Sequence, residues 1–148
     1  MQFSKSFGYA LRGVLYVASH ASRKEKVQLN EIAEKLAVPK YFLGKIMQQV
    51  TRCGILSSDK GQQGGFYIND ATMSTTIRTL KSAIGAVDEP DSCVLRLRKC
   101  NEEHPCPLHD EYKLIRMQWD DLLSKTKISD LLEKSPELLK SITAFPPH

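Results

Sequence analysis

The sequence lacks the motifs that would identify an enzyme or a membrane protein. It contains no C-x-x-C pair, no P-loop and no G-x-S-x-G element, which are common signatures of redox, nucleotide and acyl-transfer chemistry. No stretch reaches the roughly 18 consecutive apolar residues that a membrane span needs, and the N-terminal segment has no signal-peptide pattern. We therefore expect a cytoplasmic protein that is not an enzyme.

The positive charge of the chain is concentrated in its N-terminal half. Residues 1–70 contain ten Lys and Arg against five Asp and Glu, a net charge of +5, whereas residues 71–148 contain eleven against twelve. A local basic excess is the electrostatic pattern expected where phosphates are bound. The 148 residues suggest one domain. In a reducing compartment, the four cysteines are expected to be ligands, thiols or core residues rather than disulfides.

Apolar residues at helical spacing predict three helices in the first 52 residues. The first covers Phe7–His20, the second covers 29–36 and the third covers Lys40–Arg52. Pro39 disfavours helix in the residue before it, so it separates the second helix from the third. Gly54 ends the third helix, because glycine readily adopts the left-handed conformation found after helix C-termini.

The third helix and the hairpin that follows it are the predicted DNA-contacting parts. ILSSD (55–59) and FYIN (66–69) predict two strands, joined by the glycine-rich tip KGQQGG. Helix, helix, turn, helix and hairpin is the order of a winged helix–turn–helix. A rotation of about 100° per residue places four hydrogen-bond donors and no acid on the face opposite the buried stripe of the third helix: Tyr41, Lys45, Gln48 and Arg52.

The C-terminal half predicts a fourth helix over 75–86, a loop over 87–106, a long helix over 107–124, a short helix capped by Thr126 and a last helix from Pro136. A loop of about twenty residues is usually functional or disordered. Apolar residues of the long helix step by 4, 3, 4 and 3, which is typical of a paired helix: Leu108, Tyr112, Ile115, Trp119 and Leu122. The expected partner is the same helix of a second copy, and packing within the monomer is the competing interpretation.

The loop CVLRLRKCNEEHPCPLH contains the residues most suited to bind metal. Its candidate ligands, spaced C-x6-C-x5-C-x2-H, are Cys93, Cys100, Cys106 and His109. Three thiolates and an imidazole suit zinc or an iron–sulfur cluster, and the long gaps between cysteines favour the wider cluster. Free thiols or a redox pair are the alternative. His104 is the alternative histidine ligand, and Cys53 is expected to be a packed residue.

Several ordered motifs together resemble the IscR/NsrR-type regulators of the Rrf2 family over residues 1 to about 132. They are YALRGVLYVA in the first helix, LNEIAEKLAVPKYFLGKIMQQVTRCGIL through the helix–turn–helix, GQQGGFYI in the wing, AVDE at 86–89, the cysteine loop with CPLH, and TKISDLL. The resemblance implies a homodimeric repressor that binds an imperfect palindrome. It also implies a cluster held by Cys93, Cys100 and Cys106, with 2Fe–2S favoured over 4Fe–4S, which the purified protein can lose.

The fourth ligand differs between branches of the family. One branch uses the histidine that follows the third cysteine, which is His109 in this chain. Another uses an acidic residue in the first helix, where this chain has Gly8, so the resemblance implies His109. The chain departs from the family in its first cysteine gap, which is one residue longer than expected, and in carrying Lys60 where arginine is common.

The sequence thus predicts a mostly α-helical fold with a small β-hairpin wing: a winged helix–turn–helix over 1–86, a sensor loop over 87–106, and a dimerisation helix with C-terminal helices over 107–148. The predicted function is a regulator whose affinity for its operator responds to iron–sulfur status, redox state or nitric oxide. The alternative is a thiol or zinc sensor on the same scaffold. The predicted contacts to double-stranded DNA are Lys5, Arg12, Lys40, Tyr41, Lys45, Gln48, Arg52, Lys60, Gln62 and Gln63.

Overall fold

A computed structural model of the chain describes residues 2–20, 25–85, 93–95, 99–134 and 137. Within these residues, six helices and one antiparallel two-stranded sheet follow each other along the chain. Their bounds are α1 Lys5–His20, α2 Leu29–Leu36, α3 Lys40–Arg52, β1 Ser57–Asp59, β2 Gly65–Tyr67, α4 Ile77–Ala83, α5 His109–Lys125 and α6 Ile128–Lys134. Among the helices of the described ranges, none combines the length and the apolarity that crossing a membrane requires.

Helices α1, α2 and α3 pack around one apolar core. A Cβ atom at Gly13 would lie 2.8 Å from Met47 Sδ, so glycine at this position allows α1 and α3 to approach closely. Each large aliphatic side chain removed from water stabilises the fold by roughly 1.5–3 kcal/mol. The fully buried side chains between the three helices include Val14, Val17, Ile32, Leu36, Leu43 and Val50.

The turn between α2 and α3 is short and fixed by backbone hydrogen bonds. Ala37 adopts a left-handed conformation with φ of 52°, and the amide of Val38 donates to Ala33 O at 3.0 Å. Pro39 stands immediately before α3, which covers Lys40–Arg52 as the sequence predicts. Gly54 has φ of +78°, which confirms its predicted position at the end of the helix.

The hairpin is anchored to the segment before α2. The amide of Val27 donates to Phe66 O at 2.9 Å and the amide of Phe66 donates to Val27 O at 2.8 Å. The predicted strands over 55–59 and 66–69 are too long and displaced, because Ile55 and Leu56 are buried core residues rather than strand residues. The amide of Ile55 instead donates to Val50 O, which closes the turn after α3.

Helix α4 is shorter than the predicted 75–86. It begins after Thr76, whose Oγ1 accepts from the amide of Thr79 at 3.1 Å, and it ends at Ala83, before Gly85 with φ of +78°. Helix α5 starts at His109, two residues later than predicted. The helix predicted from Pro136, and much of the sensor loop predicted over 87–106, lie outside the described residues.

Two backbone hydrogen bonds connect the start of α4 to the junction of α5 and α6. The amide of Ile77 donates to Thr126 O at 3.0 Å, and the amide of Ile128 donates to Thr75 O at 2.9 Å. Ile128 is itself completely buried. The C-terminal end of α5 is therefore fixed to the winged part of the molecule.

Candidate nucleic-acid interface and cysteine pocket

The outward face of α3 is free of core contacts. Tyr41 is 70% exposed, and Lys45, Gln48 and Arg52 are exposed as the helical periodicity predicts. The Lys45 ammonium lies 4.4 Å from the centre of the Tyr41 ring, a cation–π distance that orients both side chains. No acidic residue occurs in α3, so the face offers hydrogen-bond donors without a carboxylate that would repel phosphate.

Two further residues on α3 are exposed and were missed by the sequence analysis. Phe42 is 59% exposed, and Gln49 is exposed seven residues further along the helix. The rings of Phe42 and Tyr41 meet edge to face, with centroids 6.1 Å apart. The available signal was the position of Phe42 outside the buried stripe of Leu43 and Ile46, where a large apolar residue has no core to enter.

The tip of the wing presents the three predicted contacts, Lys60, Gln62 and Gln63, and all three are exposed. The tip is hydrogen-bonded to the segment before α2, since the side-chain amide of Gln28 donates to Gln62 O at 2.6 Å. Gly65 has φ of +141° and a Cβ atom there would lie 2.7 Å from Val27 O. The backbone of the wing is thus in close contact with the segment before α2.

Three of the predicted DNA contacts differ in their surroundings: Lys5 and Arg12, which are expected to contact phosphates, and Lys40. Lys5 and Lys40 are exposed at the first residues of α1 and α3. Arg12 is partly buried and its Nη2 donates to Leu36 O at 2.6 Å, at the C-terminal end of α2. Arg12 therefore holds α1 against α2, and its phosphate contact stays a prediction.

The four predicted metal ligands line one pocket. Cys93 and His109 are buried, and Cys100 and Cys106 are partly buried. The pocket has a volume of about 220 Å³ and is also lined by Lys99, Asn101, His104, Pro105 and Pro107. Cys53 lies outside it. The sequence analysis expected Cys53 to be packed, but it is exposed beside the end of α4, with Sγ 4.0 Å from Ala83 O.

Two of these donors are in contact. Cys100 Sγ lies 3.3 Å from His109 Nδ1, close to the separation of roughly 3.5 Å that follows for two tetrahedral ligands from metal–sulfur and metal–nitrogen bonds of about 2.3 and 2.0 Å. Within the described ranges, no three His, Cys, Asp or Glu side chains are placed to hold a single metal ion. The described donors thus comprise one close pair and two further thiols around a shared pocket.

The predicted seam of α5 divides into two environments. Leu108, Ile115 and Leu122 stand exposed at intervals of seven residues, together with Leu114 and Met117. We call Leu108, Ile115 and Leu122 the apolar stripe of α5; at about 100° per residue, Leu114 and Met117 lie further round the helix. Tyr112 and Trp119 of the predicted seam are instead partly buried.

Trp119 packs inside the same chain. Its ring lies 4.7 Å from that of Phe3, centroid to centroid, and Phe3 in turn stacks on Phe7 at 4.6 Å. The ammonium of Lys81, a buried residue of α4, lies 5.4 Å from the Trp119 ring and 5.9 Å from that of Phe3. We call Phe3, Lys81 and Trp119 the aromatic cluster. It joins the N-terminal segment, α4 and α5.

Comparison with known proteins places residues 3–134 in a family described as Rrf2, iron-dependent transcriptional regulator. A putative HTH-type transcriptional regulator of Aquifex aeolicus is 32% identical over 134 residues, which cover 89% of this chain and 92% of the relative. The HTH-type transcriptional regulator IscR of Vibrio cholerae is 28% identical over 132 residues, which cover 89% of this chain and 70% of the relative.

A solved structure shares the fold. CymR (YrzC), the global cysteine regulator of B. subtilis, superposes with a TM-score of 0.73 at 18% identity, covering 90% of this chain and 98% of that chain. The match confirms the winged-helix architecture predicted from the order of helices and hairpin. On the family match and the shared fold together, the chain belongs to the Rrf2 family of winged-helix transcriptional regulators.

Proposed function

We propose that the chain is a homodimeric DNA-binding repressor whose affinity for its operator is controlled by an iron–sulfur cluster. The observation that carries the DNA-binding part is the exposed face of α3, which holds donors and no acid. The cluster part rests on the pocket that collects Cys93, Cys100, Cys106 and His109. Since such a regulator acts on the chromosome, the cytoplasmic location predicted from the sequence follows from this function.

The proposed DNA contacts fall into three groups. In the major groove, Gln48 pairs with adenine, and Lys45 and Arg52 pair with guanine, because their donors match the edges of those bases. Lys5, Lys40 and Arg12 contact phosphates, which position the protein without reading sequence. Lys60, Gln62 and Gln63 of the wing reach into the adjacent minor groove, which suits their position at the end of a hairpin held by Gln28.

The apolar stripe of α5 is the proposed dimer interface. Its three large apolar side chains are between 45% and 53% exposed, an arrangement that costs free energy unless a partner covers it. The heptad spacing of Leu108, Ile115 and Leu122 is that of a helix paired with a second helix. Two copies joined in this way read an imperfect palindrome with half-sites one or two helical turns apart.

The residues of the pocket fit a two-iron cluster. Cys93, Cys100, Cys106 and His109 would hold the cluster, and Cys100 Sγ and His109 Nδ1 are already in contact. The nearby Lys99 would offset part of the negative charge of the thiolates. When bound, the cluster supplies sensitivity to oxidants, nitric oxide and iron–sulfur supply.

A change in the pocket reaches the DNA-binding part through α5. His109 is the first residue of α5 as well as a wall of the pocket. Further along α5, Trp119 packs on Phe3, and Asp120 forms an ion pair with Arg78 of α4. A coupling of about 1–3 kcal/mol between pocket and DNA is enough to change affinity roughly 5- to 150-fold.

A second candidate function is a thiol or zinc sensor on the same scaffold. It is favoured by the partly buried Cys100 and Cys106 beside a histidine, an arrangement in which thiols react or bind zinc. CymR, which shares the fold, is described as a global cysteine regulator. The two candidates differ in the predicted content of the purified protein: the cluster requires bound iron and sulfide, and the thiol or zinc sensor does not.

Purification without oxygen, followed by iron and sulfide analysis and a gel shift on the protein's own promoter, tests both candidates. We expect a coloured protein with iron and acid-labile sulfide, and an affinity for DNA that changes when the cluster is removed. Cys100→Ser should lower the iron content and abolish the change. Cys53→Ser is the matched control, because Cys53 is exposed outside the pocket.

A colourless protein that contains zinc or oxidisable thiols, and whose DNA affinity changes with zinc binding or thiol oxidation, would support the second candidate and contradict the cluster. Failure to bind any duplex at low salt would contradict both candidates. Equal iron contents in the two serine variants would show that the cluster is held elsewhere.

A further inference from the structure

We propose that Phe42 reads thymine, by packing its ring against the C5-methyl group of that base in the major groove. This inference deepens the proposed DNA-binding function and rests on it. It assigns to α3 an apolar contact in addition to its polar ones. It also specifies the operator: each half-site carries a thymine whose methyl group faces the first turn of α3.

Within the part of the chain that the structure describes, no core contact accounts for the exposed position of Phe42. The large aliphatic side chains of α3 are all buried in the core: Leu43, Ile46, Met47 and Val50. Phe42 stands 59% exposed in the same helix, and its described ring contact is with the edge of Tyr41, itself 70% exposed. Removing an aromatic side chain of this size from water would tighten a complex about fivefold or more.

The neighbours of Phe42 identify nucleic acid as its partner. At about 100° per residue, Phe42 lies on the flank of the donor face, with Lys45 and Gln49 following it along that flank. Lys40 is exposed two residues before it, and α3 carries no acidic residue. A second copy of the chain is a poorer partner here, because its exposed apolar side chains are concentrated on α5, which is already the proposed dimer interface.

Thymine follows from the chemistry of the groove. In the major groove, the C5-methyl of thymine is the apolar group that a protein side chain meets, and phenylalanine is among the residues that contact it. Gln48 and Lys45 provide donors for purine edges, and α3 has no carboxylate to accept from the amino group of cytosine. Phe42 therefore adds recognition of the pyrimidine of an A·T pair to a helix that otherwise reads purines.

Replacing thymine by 2′-deoxyuridine tests the contact, since it removes the methyl group and leaves base pairing unchanged. Binding sites are first selected from random duplexes with the wild-type dimer. Each thymine of the selected site is then replaced by deoxyuridine in both half-sites, and affinities are measured for wild type, Phe42→Ala and Phe42→Leu. Thermal unfolding of the variants provides the control for folding, and little change is expected because Phe42 is exposed.

For the wild type, we expect deoxyuridine at one particular thymine position, replaced in both half-sites, to weaken binding about threefold to tenfold per dimer. This is the effect expected from losing buried methyl contacts. Phe42→Ala should weaken binding to the unmodified site by a similar factor and be insensitive to deoxyuridine at that position. Phe42→Leu, which keeps an apolar contact, should retain part of the sensitivity.

Two results would overturn the proposal while leaving DNA binding intact: no thymine replacement affects the wild type, or Phe42→Ala keeps the same sensitivity as the wild type. A wild-type protein that selects no sequence and binds no duplex would instead contradict the proposed function, and the reading of thymine with it.

Discussion

Truncation of Phe3 to alanine is expected to separate sensing from DNA binding. Phe3 is 41% exposed, yet its ring contacts Phe7 at 4.6 Å and Trp119 at 4.7 Å, and lies 5.9 Å from the ammonium of Lys81. Aromatic pairs contribute about 0.5–1.5 kcal/mol each and an exposed cation–π contact about 0.5–1 kcal/mol. Allowing for partial exposure, we expect Phe3→Ala to lower the free energy of unfolding by about 1–2 kcal/mol.

The assay uses Trp119, the single tryptophan of the chain. Loss of the Phe3 ring should expose the indole, move its emission to longer wavelength and make quenching by iodide more efficient, and urea unfolding followed by the same signal gives the stability. On DNA, the ratio of affinities with and without the cluster should fall toward one, while the better-binding form keeps most of its affinity. Phe3→Leu is the matched control. Unchanged emission, or an unchanged affinity ratio, would refute the role of the aromatic cluster in transmission.

Three further predictions concern the wing, a buried phenol and the dimer. Gly65→Ala should distort the wing, because a Cβ atom would lie 2.7 Å from a backbone oxygen. We expect this variant to lose DNA affinity about tenfold. Gly8→Ala is the control, because Gly8 has open space around it, and it should leave DNA affinity unchanged in the same binding assay. Burial and the hydrogen bond to Glu31 raise the pKa of Tyr16 from 10.0 to about 12. Because the folded pKa is the higher one, the stability that this phenol contributes is present below pH 10 and is lost as pH rises from 10 toward 12. Unfolding free energies measured across that interval should therefore fall more steeply for wild type than for Tyr16→Phe, and parallel curves would contradict this. Ile115→Asp should convert the dimer to a monomer in analytical ultracentrifugation, and a persistent dimer would place the interface elsewhere.

The sequence predicted α3 correctly because several independent signals agree there. Its apolar stripe, Pro39 before it and Gly54 after it all indicate the same bounds. The strands were displaced because Ile55 and Leu56 form a short apolar run, which periodicity alone cannot assign to a strand or to a buried turn. Cys93, Cys100, Cys106 and His109 line one pocket, and their role as metal ligands stays a prediction.

Contacts between distant segments could not be read from the pattern. The heptad spacing of α5 predicts that Trp119 and Ile115 both lie in the dimer interface. In the structure, Phe3 and Lys81 contact Trp119 from elsewhere in the chain. Arg12 was expected at phosphate on charge alone, and the structure gives it the carbonyl of Leu36 as a partner. In each case a partner remote in sequence decides the environment, and local spacing carries no information about it.

The hydrogen bonds of Thr75 and Thr126 with Ile128 and Ile77 have a geometric consequence for α5. They fix its C-terminal end, so the helix can tilt about that end while its first residue moves most. With 17 residues, α5 is about 25 Å long, and a displacement of 2 Å at His109 corresponds to a tilt of roughly 5°. Trp119 lies closer to the fixed end and would move less than half as far, so a rearrangement of this size at the pocket would reach Phe3 as an adjustment of less than about 1 Å.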